Sequence, residues 1–274
     1  MNILYKYCDQ LGAMKILETL ELKLPNILHV NDPLECLPFY ESPYDKAAMK
    51  ACCLRAFKRD NISPPPDWEQ KSNERFEKGE TQRSIKDALR KNLYALRQKT
   101  FLLSVSETAQ STVMWAHYSN EHNGTVIGID FDNIFPKLGL KMHLVNYSKQ
   151  RPKLNIWDDF ETQEFRAKYF ETLSTKSIDW AYEREFRTIF EDRYLIGLEK
   201  LGLACLKNFN GEKTWFLRLN PESIREVIFG LYTEDGLKSA IQKLIKRLEL
   251  QHVKLYQAEE SETYTFNLVE ITNQ

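Results

Sequence analysis

The sequence predicts an α+β fold: one domain with a single mixed, mainly antiparallel β-sheet core, flanking helices, and a helical insertion or subdomain at about residues 42–99. Three observations predict it. Short apolar and aromatic runs recur along the chain without strict β-α alternation, which argues against a doubly wound sheet. The stretch 42–99 is helical and charged throughout. From Thr100 onward, β-prone segments dominate.

Ile3 to Tyr7 is short and aromatic, so it reads as a first strand. Leu11, Met14, Leu17 and Leu20 then recur at helical spacing, giving a helix from about Gly12 to Leu20. Asn31-Asp32-Pro33 reads as a turn, because Asn and Asp bond their own backbone and Pro fixes the next φ. Ser42-Pro43 offers a cap and a first-turn Pro to the helical stretch. Ser63-Pro64-Pro65-Pro66 divides it, and Gly79 interrupts its second half. Phe101 to Ser106 is a strand ending in small hydroxyls, and Gln110 to Ser119 a short helix. Thr125 to Phe131 is almost continuously apolar and therefore central. Lys141 to Tyr147 is a strand, and Trp157 to Leu173 an amphipathic helix. Strands follow at Glu183 to Glu191, Thr214 to Leu219 and Arg225 to Phe229. Thr233 to Leu250 is a helix, and Val253 to Gln257 and Tyr264 to Val269 close the sheet.

Composition narrows the function classes. The 274 residues are 42% hydrophobic and 28% charged, the balance of a folded globular protein. Lys+Arg number 38 against 39 Asp+Glu, a net charge of -1. That balance argues against a dedicated nucleic-acid binder, which carries a basic excess, but leaves a local basic groove open. No apolar run approaches the ~18 residues that span a bilayer, so no membrane is expected. Met1-Asn2-Ile3-Leu4 shows no charged leader region. The five cysteines follow no C-x-x-C spacing. A cytoplasmic setting with reduced thiols is the expectation. Cys52-Cys53 reads as a buried helical pair rather than a redox device.

The glycine-rich phosphate loops, zinc-binding H-E-x-x-H and the G-x-S-x-G nucleophile elbow are all absent from the sequence, and no metal is indicated. Three polar groups remain. The first is Trp180-x-x-Glu183-x-Glu185-x-Arg187. On a strand, Glu183, Glu185 and Arg187 share one face. Two carboxylates beside a guanidinium can divide roles, one staying ionised and the other shifted upward, which suits a general base or a cation stabiliser. A structural ion pair on a sheet edge is the competing reading, and an i, i+4 pair results if the segment is helical. The second is Met114-Trp115-Ala116-His117-Tyr118, followed by His122-Asn123-Gly124. It reads either as a core face or as an aromatic platform on which His117 or Tyr118 bonds a planar ligand. The third is His29 with Asn31, Asp32 and Glu35, a rigid turn by default.

These residues, with Leu4-Tyr5-Lys6-Tyr7 and Ser104-x-Ser106-Glu107, together resemble the bacterial domain-of-unknown-function family numbered 2971. The resembling motifs run along nearly the whole chain in order. The family carries no established activity. More remotely, the order of groups resembles ADP-ribosyltransferase folds: a ligand-binding residue on the first strand, a hydroxyl-rich strand, and a late Glu-x-Glu. That resemblance implies NAD as substrate. Tyr5, Lys6 and Tyr7, Ser104 and Ser106, Trp115, His117, Tyr118 and Arg187 would hold it. Glu185 would stabilise the cationic transition state, and Glu183 would activate the acceptor. It also implies a toxin or phage-defence effector. The first strand lacks the His or Arg usual in those folds, and 42–99 has no counterpart in them. Two alternatives stand beside it. One is a non-catalytic protein that binds a partner through helices 42–99. The other is a nucleic-acid-processing enzyme whose carboxylates, such as Asp32, Glu35 and Glu185, hold Mg²⁺.

Overall fold

The alternating run Ile3–Cys8 forms the strand β1 near the middle of an eight-stranded mixed sheet. The computed structural model describes residues 3–132, 135, 138–209 and 211–272. The other strands of this sheet are β2 (Thr100–Ser106), β3 (Thr125–Asp130), β4 (His143–Leu144), β5 (Glu185–Glu191), β6 (Ile224–Phe229), β7 (Lys254–Glu260) and β8 (Phe266–Ile271). Their spatial order is β8-β7-β6-β3-β1-β2-β5-β4. Neighbours run antiparallel except β6 and β7, which are parallel. A parallel pair needs a crossover, and the helix Asp235–Arg247 supplies it.

The mixed, mainly antiparallel α+β architecture is as expected, but the core is not a single sheet. Glu21–Leu24, Glu212–Arg218 and Ala204–Phe209 form a three-stranded antiparallel sheet, and Phe39–Glu41 pairs in parallel with Lys153–Asn155. Leu22 and Leu24 are buried while Lys23 between them is exposed, the period-two pattern of a strand with one covered face.

The chain forms two compact units. The first comprises Met1–His29, Thr100–Tyr147 and Ile178–Gln274, and the second Val30–Lys99 and Ser148–Ser177. In the second, Met49, Phe76, Leu89, Leu93, Leu154 and Trp157 build a core under the helices Lys46–Arg59, Trp68–Glu77 and Glu80–Arg97. The break between the last two falls at Gly79, whose φ of 69° suits glycine. The first helix starts not at Ser42-Pro43 but at Lys46, where the Asp45 carboxylate accepts from the Ala48 amide at 2.9 Å and caps it. Cys52 and Cys53 lie half-buried on it. No helix among the described residues is long and apolar enough to cross a membrane.

In the first unit, strand alternation gives the large sheet two different faces. Leu4, Leu103, Val105, Ile127, Ile129, Val227 and Leu255 face the main core with Leu17, Ile241 and Leu244 from helices. Tyr7, Val126, Ile228 and Ala258 face the other way, against Met114 and Trp115. Tyr5, Tyr118, Tyr182 and Tyr256 pack half-buried on that second cluster.

Candidate functional site

The polar run Trp180–Arg187 does not form one strand. Ile178–Glu183 is a 3₁₀ turn, Arg184 takes a positive φ of 44°, and β5 begins at Glu185. Glu183 therefore does not share a strand face with Glu185 and Arg187, contrary to the strand expectation. Arg184 is fixed outside the turn by the Glu107 carboxylate, 2.7 Å from its Nη2, and its carbonyl accepts from the Glu107 amide. Glu185 and Arg187 do alternate onto one face. Arg187 Nε donates to Glu185 Oε1 and Nη2 to Oε2, each at 2.8 Å, and both residues are buried. The Glu185 amide donates to the Tyr147 hydroxyl at 2.8 Å.

Sheet register lines up the other groups. Ser106 lies opposite Glu185 on one side and Tyr5 on the other; Tyr5 in turn lies opposite Gly128, and Gly128 opposite Glu226. Directly paired residues project to the same face, so Glu226, Tyr5, Ser106 and Glu185 form one row across the sheet. Gly128 makes the row continuous: a Cβ there would meet Glu226 Cβ at 3.0 Å and Ile3 Cγ2 at 2.9 Å. The Glu226 carboxylate is thereby placed to act on the Tyr5 phenol. Burial, and then that carboxylate, push the Tyr5 phenol up to about 12. Burial also raises Glu226 above the ordinary carboxylate value. Tyr7 stands two residues on, with its pKa raised by burial, its hydroxyl donating to the Thr108 carbonyl and its ring edge-on to Trp115 at 5.5 Å. Lys6 alternates to the opposite face, where its ammonium donates to the Ser104 carbonyl at 2.9 Å.

The helix Thr112–Tyr118 is capped by Ser111, whose hydroxyl accepts from the Met114 amide. Trp115 is fully buried, its indole N–H donating to the Ala109 carbonyl at 2.7 Å. The next two polar residues reach the 3₁₀ turn. His117 Nδ1 lies 3.0 Å from the Tyr182 hydroxyl, and the Tyr118 hydroxyl donates to Glu183 Oε1 at 2.6 Å. Ser106 adds a third link, its hydroxyl donating to the Glu183 carbonyl at 2.7 Å. Gly124 is required by close backbone approach, since a Cβ would fall 2.2 Å from the Cys8 carbonyl oxygen. His122 rests edge-on to Phe266 and Tyr232, and burial lowers its pKa.

The structure thus brings together Tyr5, Tyr7, Ser104, Ser106, Trp115, His117, Tyr118, Glu183, Glu185 and Arg187 in the first unit. Asn31, Asp32 and Glu35 belong to the second. There Asp32 Oδ1 accepts from the Leu34 amide in a tight turn, and buried Glu35 pairs with Lys176 at 3.3 Å. Among the described residues, no group of three or more His, Cys, Asp or Glu side chains is placed to hold a metal ion. Glu226, Tyr147 and Tyr182 were not picked out from sequence. Glu226 carried a signal, as a lone acid within an apolar strand facing a glycine. Tyr182 sits inside the polar run itself.

Chemically, half-buried tyrosine rings beside carboxylates favour a planar, electron-poor or cationic group. Residues 114–188 match the family model described as Protein of unknown function (DUF2971). The match opens on the Met114–Tyr118 motif and closes just beyond Arg187, so it brackets the two segments joined by the His117–Tyr182 and Tyr118–Glu183 bonds. No curated protein and no solved structure matches the chain.

Proposed function

We propose that the DUF2971 segment completes a binding face for the nicotinamide end of NAD, and that the protein is an NAD-consuming, ADP-ribosyltransferase-like enzyme acting as a toxin or defence effector. One observation carries this reading: Tyr5, Ser106 and Glu185, from the first strand, the hydroxyl-bearing strand and the strand that Glu185 begins, stand in a single register row. In the reaction the bond between the nicotinamide ring nitrogen and ribose C1′ breaks, and the ring leaves with the bonding electrons. An acceptor oxygen or nitrogen then bonds C1′ and gives up its proton. The Tyr5 ring would stack on the nicotinamide. Glu185 would accept from a ribose hydroxyl, replacing one of its Arg187 contacts, and offset the positive charge developing at C1′. Glu183 would take the acceptor proton while the Tyr118 hydroxyl orients it.

NAD titrated into the purified protein by calorimetry tests the binding step. The expected result is saturable binding that Tyr5→Ala weakens by about tenfold, in line with a lost stacking platform. Absence of NAD binding at millimolar concentration would overturn the reading.

A second reading rests on a different observation. Both oxygens of Glu185 are engaged by Arg187 and the Ser106 hydroxyl is spent on the Glu183 carbonyl, as in a structural network. The protein is then a non-catalytic partner of another protein, with helices 42–99 as its interface. A stoichiometric partner retained by Glu183→Gln and Glu185→Gln variants would favour it.

A further inference from the structure

The second unit contains a basic and aromatic pocket with a volume of about 530 Å³, walled by the helix Glu80–Arg97, residues 37–40 and Arg151. Lys86, Arg90, Lys91, Arg97 and Arg151 line it, and none of its lining residues is acidic. Lys86, Arg90 and Arg97 recur at intervals of four and seven, which puts them on one face of the helix.

Aromatic rings stand between these cations. The Arg90 guanidinium lies 5.5 Å from the centre of the Tyr40 ring, and that of Arg151 lies 5.8 Å from the centre of Phe39. Burial raises the Tyr40 pKa, and the charges of Arg90, Arg97 and Arg151 all pull against that rise, so three guanidinium groups bear on one phenol. Phe39 and Tyr94 are 48% and 52% exposed, open enough to be covered by a ligand. Asp87 is 3.6 Å from Arg90 in an exposed pair, and Glu41 is matched to Lys153 at 2.7 Å.

Five cations around one small pocket repel one another, and an anion relieves that repulsion. Guanidinium groups suit phosphate because they donate bidentately. Exposed rings beside them suit a nucleobase, since base–aromatic stacking tolerates any base. A pocket of this size falls within the ~300–1,000 Å³ range of small-ligand sites. That is room on the scale of one nucleotide.

We propose that this pocket binds a nucleotide unit, its phosphate at Arg90, Arg97 and Arg151 and its base on Phe39 or Tyr94. The unit could arrive as a free nucleotide or as one member of a single strand. The site shares no residue with the Tyr5–Glu185 face and does not depend on the NAD reading.

The test uses the full chain with two probes: a fluorescein-labelled twelve-thymidine strand followed by anisotropy, and ATP followed by calorimetry. At least one should bind saturably. Arg90→Glu combined with Arg151→Glu should weaken that binding by tenfold or more at an unchanged melting temperature. Phe39→Ala or Tyr94→Ala should weaken it about tenfold. For the strand, log K against log salt should fall with a slope of about −0.7, as one neutralised phosphate requires. Strand binding without ATP competition identifies the strand as the source, and equal competition by ATP identifies the free nucleotide. Three results would overturn the proposal. Neither probe binds; the charge-reversed variant binds like wild type; or inorganic phosphate competes as well as ATP while both ring variants bind normally.

Discussion

Arg187 holds both carboxylate oxygens of Glu185 at 2.8 Å, and neither side chain is open to solvent. A buried pair of this kind is costly to break from one side, because the remaining buried charge loses its bidentate partner. Glu185→Ala should therefore lower unfolding stability by about 3–5 kcal/mol. Replacing both partners with apolar residues, as in Glu185→Leu with Arg187→Met, should recover most of that loss. Urea denaturation of the single and double variants checks both statements. A single variant as stable as wild type would show that the guanidinium does not depend on Glu185.

The Tyr118 hydroxyl and the Glu183 carboxylate are 2.6 Å apart and join two segments 65 residues distant in sequence. A hydrogen bond to a charged acceptor contributes roughly 1.5–3 kcal/mol. Tyr118→Phe should cost about that much, and a double-mutant cycle with Glu183→Gln should return a coupling of at least about 1 kcal/mol. Additive single effects would mean that the turn is held by other contacts.

Alkaline pH should weaken the fold through Tyr5. Its phenol is raised from an ordinary 10.0 to about 12, first by burial and then by Glu226. A proton bound more tightly in the folded state stabilises that state below the unfolded pKa. The stabilisation fades as pH rises through the folded pKa. The loss attributable to Tyr5 should therefore fall between pH 10 and about 12. Glu226→Gln removes the neighbouring negative charge, so the Tyr5 pKa should drop and this part of the loss should shrink. Titration of ¹³C-labelled tyrosine by NMR resolves the shift. An unchanged Tyr5 pKa in the variant would contradict the Tyr5–Glu226 contact.

Much of the fold was legible where local pattern and tertiary burial agree. The apolar run Thr125–Asp130 is a central strand, the periodic run around Asp235–Arg247 is a helix, and Gly79 does separate two helices. Boundaries failed where a cap or a strained residue decides. The helix read from Trp157 starts only at Gln163, because the Thr162 hydroxyl accepts from the Phe165 amide and caps it there. The strand read from Glu183 starts at Glu185, because Arg184 adopts a positive φ. The three-stranded sheet was missed, since Glu21–Leu24 is only four residues long and its partners follow nearly two hundred residues later. Most of the site residues could be picked from sequence as motifs. Their alignment could not. That Tyr5, Ser106 and Glu185 share a row depends on strand order and register, and Glu226 joins them only through the glycine between.

Nicotinamide release measures most directly whether the Tyr5–Ser106–Glu185 row serves the proposed NAD chemistry. Purified protein incubated with NAD, with and without cell extract as a source of acceptor, should liberate nicotinamide detectable by chromatography. Glu185→Gln, in preparations shown to be folded by circular dichroism, should reduce the rate by about 100-fold or more, the scale expected for removing one preorganised group that stabilises transition-state charge. No nicotinamide release by the wild-type protein under either condition, or release at the same rate from folded Glu185→Gln, would contradict the claim.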